Sequence, residues 1–305
     1  MTVKSAGQMS EAQALAPAYR VPRAREHVSA GRIAFTGVSQ AFLVVWTVLV
    51  VFPFLWMVMT SFKTDREIFF SPWSLPAVPQ VNNFVRAWTQ ASIGQYFINS
   101  LIVVAGSLIL TLLLSSMAAY VLARFDFPGN RVIYYAFMIG LMFPIFLALV
   151  PLFFVVRDLN LLSTYHGLIL VYTAYSLPFS VFFLTSFFRS LPSEVAEAAI
   201  VDGASQFTTF FHVMLPMART GLISIGIFNF LGQWNQFILP LVLVPDRDRY
   251  VLSQGLAFLA IQQGYQNDWS ALFAGLTITT LPVIIVYVVF QRQLEAGLTA
   301  GALKG

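Results

Sequence analysis

Six stretches of this chain run for more than twenty residues without an Asp, Glu, Lys or Arg: 33–62, 87–123, 132–156, 159–188, 220–245 and 269–291. A helix needs roughly 20 mostly apolar residues to cross the hydrocarbon core of a bilayer, and each stretch holds an apolar core of that length. The pattern predicts an all-α polytopic membrane protein with six transmembrane helices. Composition agrees, since 58% of the residues are hydrophobic, 30 are Phe and only 10% are charged, against about 25% charged in a soluble domain. With no Cys, disulfides, thiol chemistry and thiolate metal sites are excluded. Two shorter charge-free stretches, 68–85 and 250–267, fail as spans. Pro72, Pro76 and Pro79 break the first, and Gln262, Gln263 and Gly264 interrupt the second. Both read as loops with room for a short helix at the membrane surface.

These stretches divide the chain into a polar N-terminal tail (1–32), a six-helix membrane domain (33–291) and a C-terminal tail (292–305). The N-terminal tail is not expected to be a signal peptide, because no short apolar run with a small-residue cleavage site follows it. Lys and Arg concentrate on the cytoplasmic side of membrane proteins. With the N-terminus inside, the inner segments carry eleven Lys/Arg and the outer ones six. Both termini are therefore expected in the cytoplasm of a cell whose plasma membrane holds the chain. The net charge of +4 is this inner-side bias and not a phosphate-tracking patch, so no nucleic-acid partner is expected.

The chain lacks the marks of an enzyme. His27, His166 and His212 are far apart, no paired-His motif or phosphate-cradling Gly-rich loop is present, and no cofactor is expected. The acids lie outside the six stretches, whereas proton- and ion-coupled transporters keep an ionisable group at membrane depth. His166, at the start of the fourth stretch, reads as an interfacial hydrogen-bonding residue. If this chain transports, its energy comes from another subunit.

The loop 189–219 is the most informative segment. Pro192 suits a first helical turn. Glu194 and Glu197 follow on one face near the positive end of the helix dipole, and Ala196, Ala198 and Ala199 keep the surface shallow. Asp202 and Gly203 end this short helix, with Gly203 permitting a sharp turn. A second helix is predicted to carry Phe207, Phe210, Phe211 and Met214 at helical spacing until Leu215 and Pro216 close it. Three readings are open: a helix resting on lipid, a solvated connector, and a helix–turn–helix knob docking into a partner protein. Acids facing an anionic leaflet argue against the first, and four aromatic or Met side chains against the second. Apolar anchors with an acidic rim favour the third.

In the fifth stretch, Asn229, Gln233, Trp234, Asn235 and Gln236 are polar or aromatic residues at membrane depth. Buried amides are costly unless paired or facing water. They read either as hydrogen-bonded glue between helices or as the lining of a translocation pathway. Trp234 adds an aromatic face to this set, although packing is the commoner role of a buried indole.

Glu197-Ala198-Ala199, three residues, Gly203, nine residues and Val213-x-Leu215-Pro216 resemble the EAA loop of ABC importer permeases, with Val213 where Ile is common. Trp234-Asn235-x-Phe237-x-x-Pro240-Leu241, the terminal Gly297-Leu298-Thr299-Ala300-Gly301-Ala302-Leu303-Lys304-Gly305 and Asn99-Ser100 resemble the carbohydrate-importer branch. The likeness runs from the first span to the last residue and is to the smaller permease of maltose-type, binding-protein-dependent systems. It implies a heterodimer with a second permease, two copies of a cytoplasmic ATPase subunit and an extracytoplasmic sugar-binding protein. It implies that Glu197 and Asp202 contact the ATPase, that Gly203 shapes the loop and that the Phe207/Phe211 face anchors it. Residues 297–305 would reach between the ATPases, and the segment 246–268, with Arg247, Arg249, Tyr250, Gln254 and the Gln262-Gln263 pair, would face the binding protein. In maltose-type systems the partner permease supplies most sugar contacts. Other functions compatible with the residues are an ABC permease for polyamines or another small solute, and a membrane receptor or scaffold docking a cytoplasmic partner.

Overall fold

The computed structural model describes residues 30–266 and 268–302, with side chains over 35–261 and 268–294. The N-terminal tail expected over 1–32 thus falls almost wholly outside the described residues, as do the side chains of Gln262, Gln263 and 297–305. Among the described residues every element is helical. The chain divides into two compact units, Met1–Pro53 and Phe54–Gly305. The described part of the first is the leading portion of α1 (Ala30–Thr60), with Phe42 and Trp46 exposed and their rings stacked at 6.3 Å.

The second unit is built on α4 (Ile93–Arg124) and α7 (Tyr165–Ser190). Ser107, Thr111 and Ser115 of α4 are fully buried, as is Ser180 of α7. Small side chains let helix backbones approach closely, which drives packing where lipid offers no hydrophobic contrast. Against this pair lie α11 (Arg219–Trp234) and α14 (Trp269–Ala302). One end of the bundle carries α2 (Asp65–Phe70), α3 (Asn82–Thr89) and later α13 (Leu252–Gln266). The opposite end carries α8 (Ser193–Val201), α9 (Gln206–Thr208), a π-helical turn (Thr209–Met214) and α10 (Leu215–Met217).

Two of the six predicted spans are not single helices. Among the described residues four helices are long and apolar enough to cross a membrane uninterrupted: Phe35–Thr60, Ile93–Arg124, Tyr165–Ser190 and Trp269–Leu294. The third stretch breaks into α5 (Asn130–Met142) and α6 (Ile145–Asp158), bent by 103°. The cause is Pro144, which drives its predecessor out of the helical region; Phe143 accordingly has φ −76° and ψ 121°. The fifth breaks after α11, and α12 (Ile238–Leu243) follows the gap. Pro240 lacks an N–H and its ring excludes a helical carbonyl four residues back, at Gln236. The 16 residues of α11 span only about 24 Å at 1.5 Å each. Pro53, Pro151, Pro178 and Pro282 stay inside their helices.

The stretch 250–267, read as a loop, is largely helical. Its apolar face is not at a surface: Leu252, Leu256 and Leu259 are buried with Ile93, Tyr96, Trp234 and Leu272. The gap between Tyr96 and α14 accepts this helix, which hydropathy along one segment does not register. The last span also continues as helix beyond the apolar stretch, to Ala302.

Candidate functional site

The loop 191–218 is a rigid projection. Pro192 is the N-cap of α8. At its other end the N–H of Ala204 donates to the carbonyl of Ala199 at 2.9 Å and that of Gly203 to Ile200 at 3.0 Å. This is a Schellman pair, which requires the intervening C′ residue to be left-handed; Gly203 has φ +86°. Ser205 then caps the next turn, its hydroxyl accepting the N–H of Thr208 at 3.2 Å. The helical path from Gln206 to Met217 turns by 74° into α11, so the projection runs nearly across the axis of the span it leads into.

The predicted second α-helix is instead largely π-helical, and the wider turn separates the four apolar side chains. Phe210 and Met214 point inward and are buried with Ala196 and Ala218 against Tyr120, Leu184 and Phe188. The Tyr120 and Phe210 rings lie 5.1 Å apart. Arg124, at the end of α4, donates to the Leu191 carbonyl at 2.7 Å. Phe207 and Phe211 remain exposed, as do Glu194, Glu197, Ala198, Asp202, Gly203 and Pro216, while Ala199 and Leu215 are half-buried. The outward surface is thus three carboxylates around apolar side chains, on a loop fixed from beneath by Phe210 and Met214.

A cavity of about 510 Å³ lies where the α5–α6 bend meets α7 and α11. Tyr172, Tyr175, Ser176, Asn229, Gln233 and Gln236 provide its polar groups, with Phe143, Pro144 and Phe179 among the apolar ones, and no charged residue lines it. Of the five residues singled out in the fifth stretch, the structure brings three to this cavity. Gln233 is also a bridge: its amide oxygen accepts from Ser107 Oγ at 2.6 Å and its Nε2 donates to Ser176 Oγ at 3.0 Å. Asn229 Nδ2 donates to Ser180 Oγ at 2.8 Å. Asn235 is exposed, its amide bonded to the Leu231 carbonyl of its own helix. Trp234 is buried, stacked on Phe230 at 5.6 Å, with Nε1 donating to the Thr279 carbonyl. It packs the bundle and does not line the cavity. Sequence reasoning missed Tyr172, Tyr175 and Ser176, although their i, i+3, i+4 spacing on an apolar helix is the signal that a polar face leaves.

At the end carrying α13, Asn99 Nδ2 donates to the carbonyls of Asp248 and Tyr250, and its oxygen accepts from Tyr165 Oη at 2.8 Å. Ser100 Oγ accepts the N–H of Leu252 at 2.7 Å. Residues 246–252 are therefore tied to the start of α4 by the Asn99-Ser100 pair. Arg247 lies over the Phe258 ring and Arg249 over that of Tyr165. Gln254 is buried, donating to the Val244 carbonyl. Nearby, Asp268 bonds Arg86 at 2.9 Å. Burial pushes its carboxyl up, but hydrogen bonds from Arg86 and the Ala271 N–H outweigh burial and hold it below the usual carboxylate range.

A family model described as binding-protein-dependent transport system inner membrane component matches residues 111–300. The diacetylchitobiose uptake system permease protein of Streptomyces coelicolor is 53% identical over 88% of this chain and 89% of its own length. The arabinooligosaccharides transport system permease protein of Halalkalibacterium halodurans is 35% identical, covering 84% of this chain and 92% of its own. The trehalose/maltose transport system permease protein of Thermococcus litoralis is 33% identical, covering 86% and 94%. A solved bacterial ABC transporter involved in import of the acidic polysaccharide alginate has a chain with a TM-score of 0.76 at 20% identity, covering 87% of this chain and 98% of that one. This last likeness bears on the fold alone.

Proposed function

Because this chain belongs to the family of binding-protein-dependent transport system inner membrane components, we propose that it forms one half of the pore of an ATP-driven importer of neutral oligosaccharides. The observation that carries the solute class is the cavity lining, which offers amides, hydroxyls and aromatic faces but no charge. A polyamine crossing here would shed water without gaining a carboxylate, a large penalty. A sugar can exchange its hydroxyl hydration for amide hydrogen bonds and lay its C–H faces on aromatic rings. The named relatives, which serve oligosaccharide uptake, support the same class.

In this reading a second permease completes the pore, and two copies of a separate ATPase subunit bind the 191–218 projection, with Glu194, Glu197, Asp202, Phe207 and Phe211 on the docking face. An extracytoplasmic sugar-binding protein delivers solute at the α13 end. The chain itself hydrolyses nothing. Reporter fusions after residues 126 and 205 are expected to signal cytoplasm, and those near 75 and 257 the exterior. An exterior signal at 205 overturns the docking assignment, since no ATPase lies there.

The solute class is tested in vesicles holding the assembled importer. Labelled diacetylchitobiose, the first sugar to try, is expected to accumulate with ATP and binding protein, and spermidine is not; the reverse result overturns the reading. Within the cavity, Gln236→Leu is expected to lower uptake per assembled complex roughly five- to tenfold, the worth of one hydrogen bond of about 1 kcal/mol. Gln233→Leu is expected to lower complex yield as well, because each interhelical bond it loses contributes about 0.6 kcal/mol. Unchanged uptake in Gln236→Leu would remove that residue from the pathway.

A further inference from the structure

The charge-free stretch 68–85, which fails as a span, has no role in the transport reading. It folds over the α13 end of the bundle with Ile68 buried, Phe84 half-buried and most of its other apolar side chains outward. Phe70 is 82% exposed and Leu75 79%, and Trp73, Val78, Val81 and Val85 are also exposed. Phe69 meets the Trp269 ring edge-on at 5.9 Å and Trp73 lies 5.8 Å from Trp56, so the segment hangs beside the ends of two spans.

Several polar groups at its edges are matched internally. Lys63 is fully buried, and its Nζ donates to the carbonyls of Ser71 and Pro72, each at 2.9 Å. Burial pulls this ammonium below the usual lysine range. Trp56 Nε1 donates to the same Pro72 carbonyl. Glu67 accepts the N–H groups of Thr64 and Ala77, which hold its carboxyl below the usual range. Asn83 Nδ2 donates to the carbonyls of Ser61 and Lys63, and Gln80 N–H donates to Phe62. Pro72, Pro76 and Pro79 remove three further donors. These bonds lower the cost of holding the segment where water is scarce, at the boundary and not within the hydrocarbon.

We infer that residues 69–85 form a collar dipping into the outer-leaflet boundary of the membrane, with lipid as its occupant. Three features favour lipid. The face is continuous with the spans: α3 ends at Thr89 and α4 starts at Ile93, and Leu55 and Val58 beside Trp56 are exposed too. It carries no charge between 68 and 85, as a lipid-facing surface requires. Its Trp73, packed beside Trp56, is of the residue type enriched at membrane–water interfaces. A soluble binding protein would leave this surface bare to water at each release.

The absence of native Cys makes the test direct. Phe70→Cys, Leu75→Cys and Val78→Cys are each labelled with a nitroxide in the assembled importer, in vesicles of phosphatidylcholine and phosphatidylglycerol, with Asp158→Cys as an exposed control. Collision with oxygen is expected to exceed collision with a water-soluble nickel chelate several-fold at 70, 75 and 78, and the ratio to invert at 158. Chelate-dominated collision at the three positions overturns the proposal in favour of water. An immobilised label shielded from both reagents overturns it in favour of cover by the second permease. Uptake measured on the same samples reports separately on the importer reading, which does not depend on where this collar sits.

Discussion

Replacing Gly203 by Val is expected to abolish ATPase co-purification and sugar uptake together while leaving membrane insertion and pairing with the second permease intact. Gly203 holds φ +86°, and a Cβ there would meet nothing within 4 Å. The cost is therefore backbone strain, about 1–3 kcal/mol for a side-chain-bearing residue held in that region, and not a clash. The chain can relieve it by abandoning the Schellman bonds of Ala204 and Gly203, which set the angle between α8 and the following turn. Phe210 and Met214 are larger and more deeply buried than Ala196, the one buried side chain of α8, so the relief falls on α8 and swings Glu194 and Glu197 away from Phe207 and Phe211. Docking needs both groups at once. Glu197→Lys should lose ATPase association by a different route, reversing one rim charge without strain. If Gly203→Val retains normal ATPase association and uptake, the projection is a plain connector and the coupling role of this loop fails.

The second large effect is expected at Gly255, on α13. A Cβ there would overlap the ring of Tyr96. That ring has no room to yield: it is 2% exposed, lies 5.9 Å from the Tyr250 ring and its hydroxyl meets Arg247 Nε at 3.3 Å. Overpacking of this kind typically costs about 1–3 kcal/mol. Gly255→Val should therefore lower the thermal midpoint and yield of the purified complex. Displacement of α13 should also strain the neighbouring bonds from Asn99 to Tyr250 and from Leu252 to Ser100. The ATPase end should remain normal in whatever assembles. The check is a double substitution: Tyr96→Ala opens the space, so Gly255→Val should cost much less in that background. An equal loss in both backgrounds would show that the overlap is not the cause.

The loop 191–218 was more legible than the cavity. Pro192 and Gly203 each act on their own backbone, so the start of the projection and its turn follow from local rules, whereas the helix expected to close at Pro216 runs on through it to Met217. Glu194, Glu197 and Asp202 have no neighbouring helix to cover them. The cavity depends on distant partners. Asn229, Gln233, Asn235 and Gln236 look alike as amides in an apolar stretch, yet Asn229 and Gln233 bridge helices and Asn235 bonds only its own. Trp234, whose commoner role is packing, is as deeply buried as Gln233 and packs the bundle.

The sequence by itself determined that this chain crosses a membrane, that it carries a turn-built projection on one loop, and that charge is absent from its spans. These are properties of consecutive residues: desolvation favours an apolar run wherever it occurs, and a left-handed turn selects glycine whatever surrounds it. Tertiary structure alone decided the 103° bend as the wall of a cavity, the inward turn of Phe210 against the outward turn of Phe207, and the burial of α13. Each rests on which surface a neighbouring helix presents. Ser107 and Gln233 stand 126 residues apart, and no rule acting along the chain records that their helices meet.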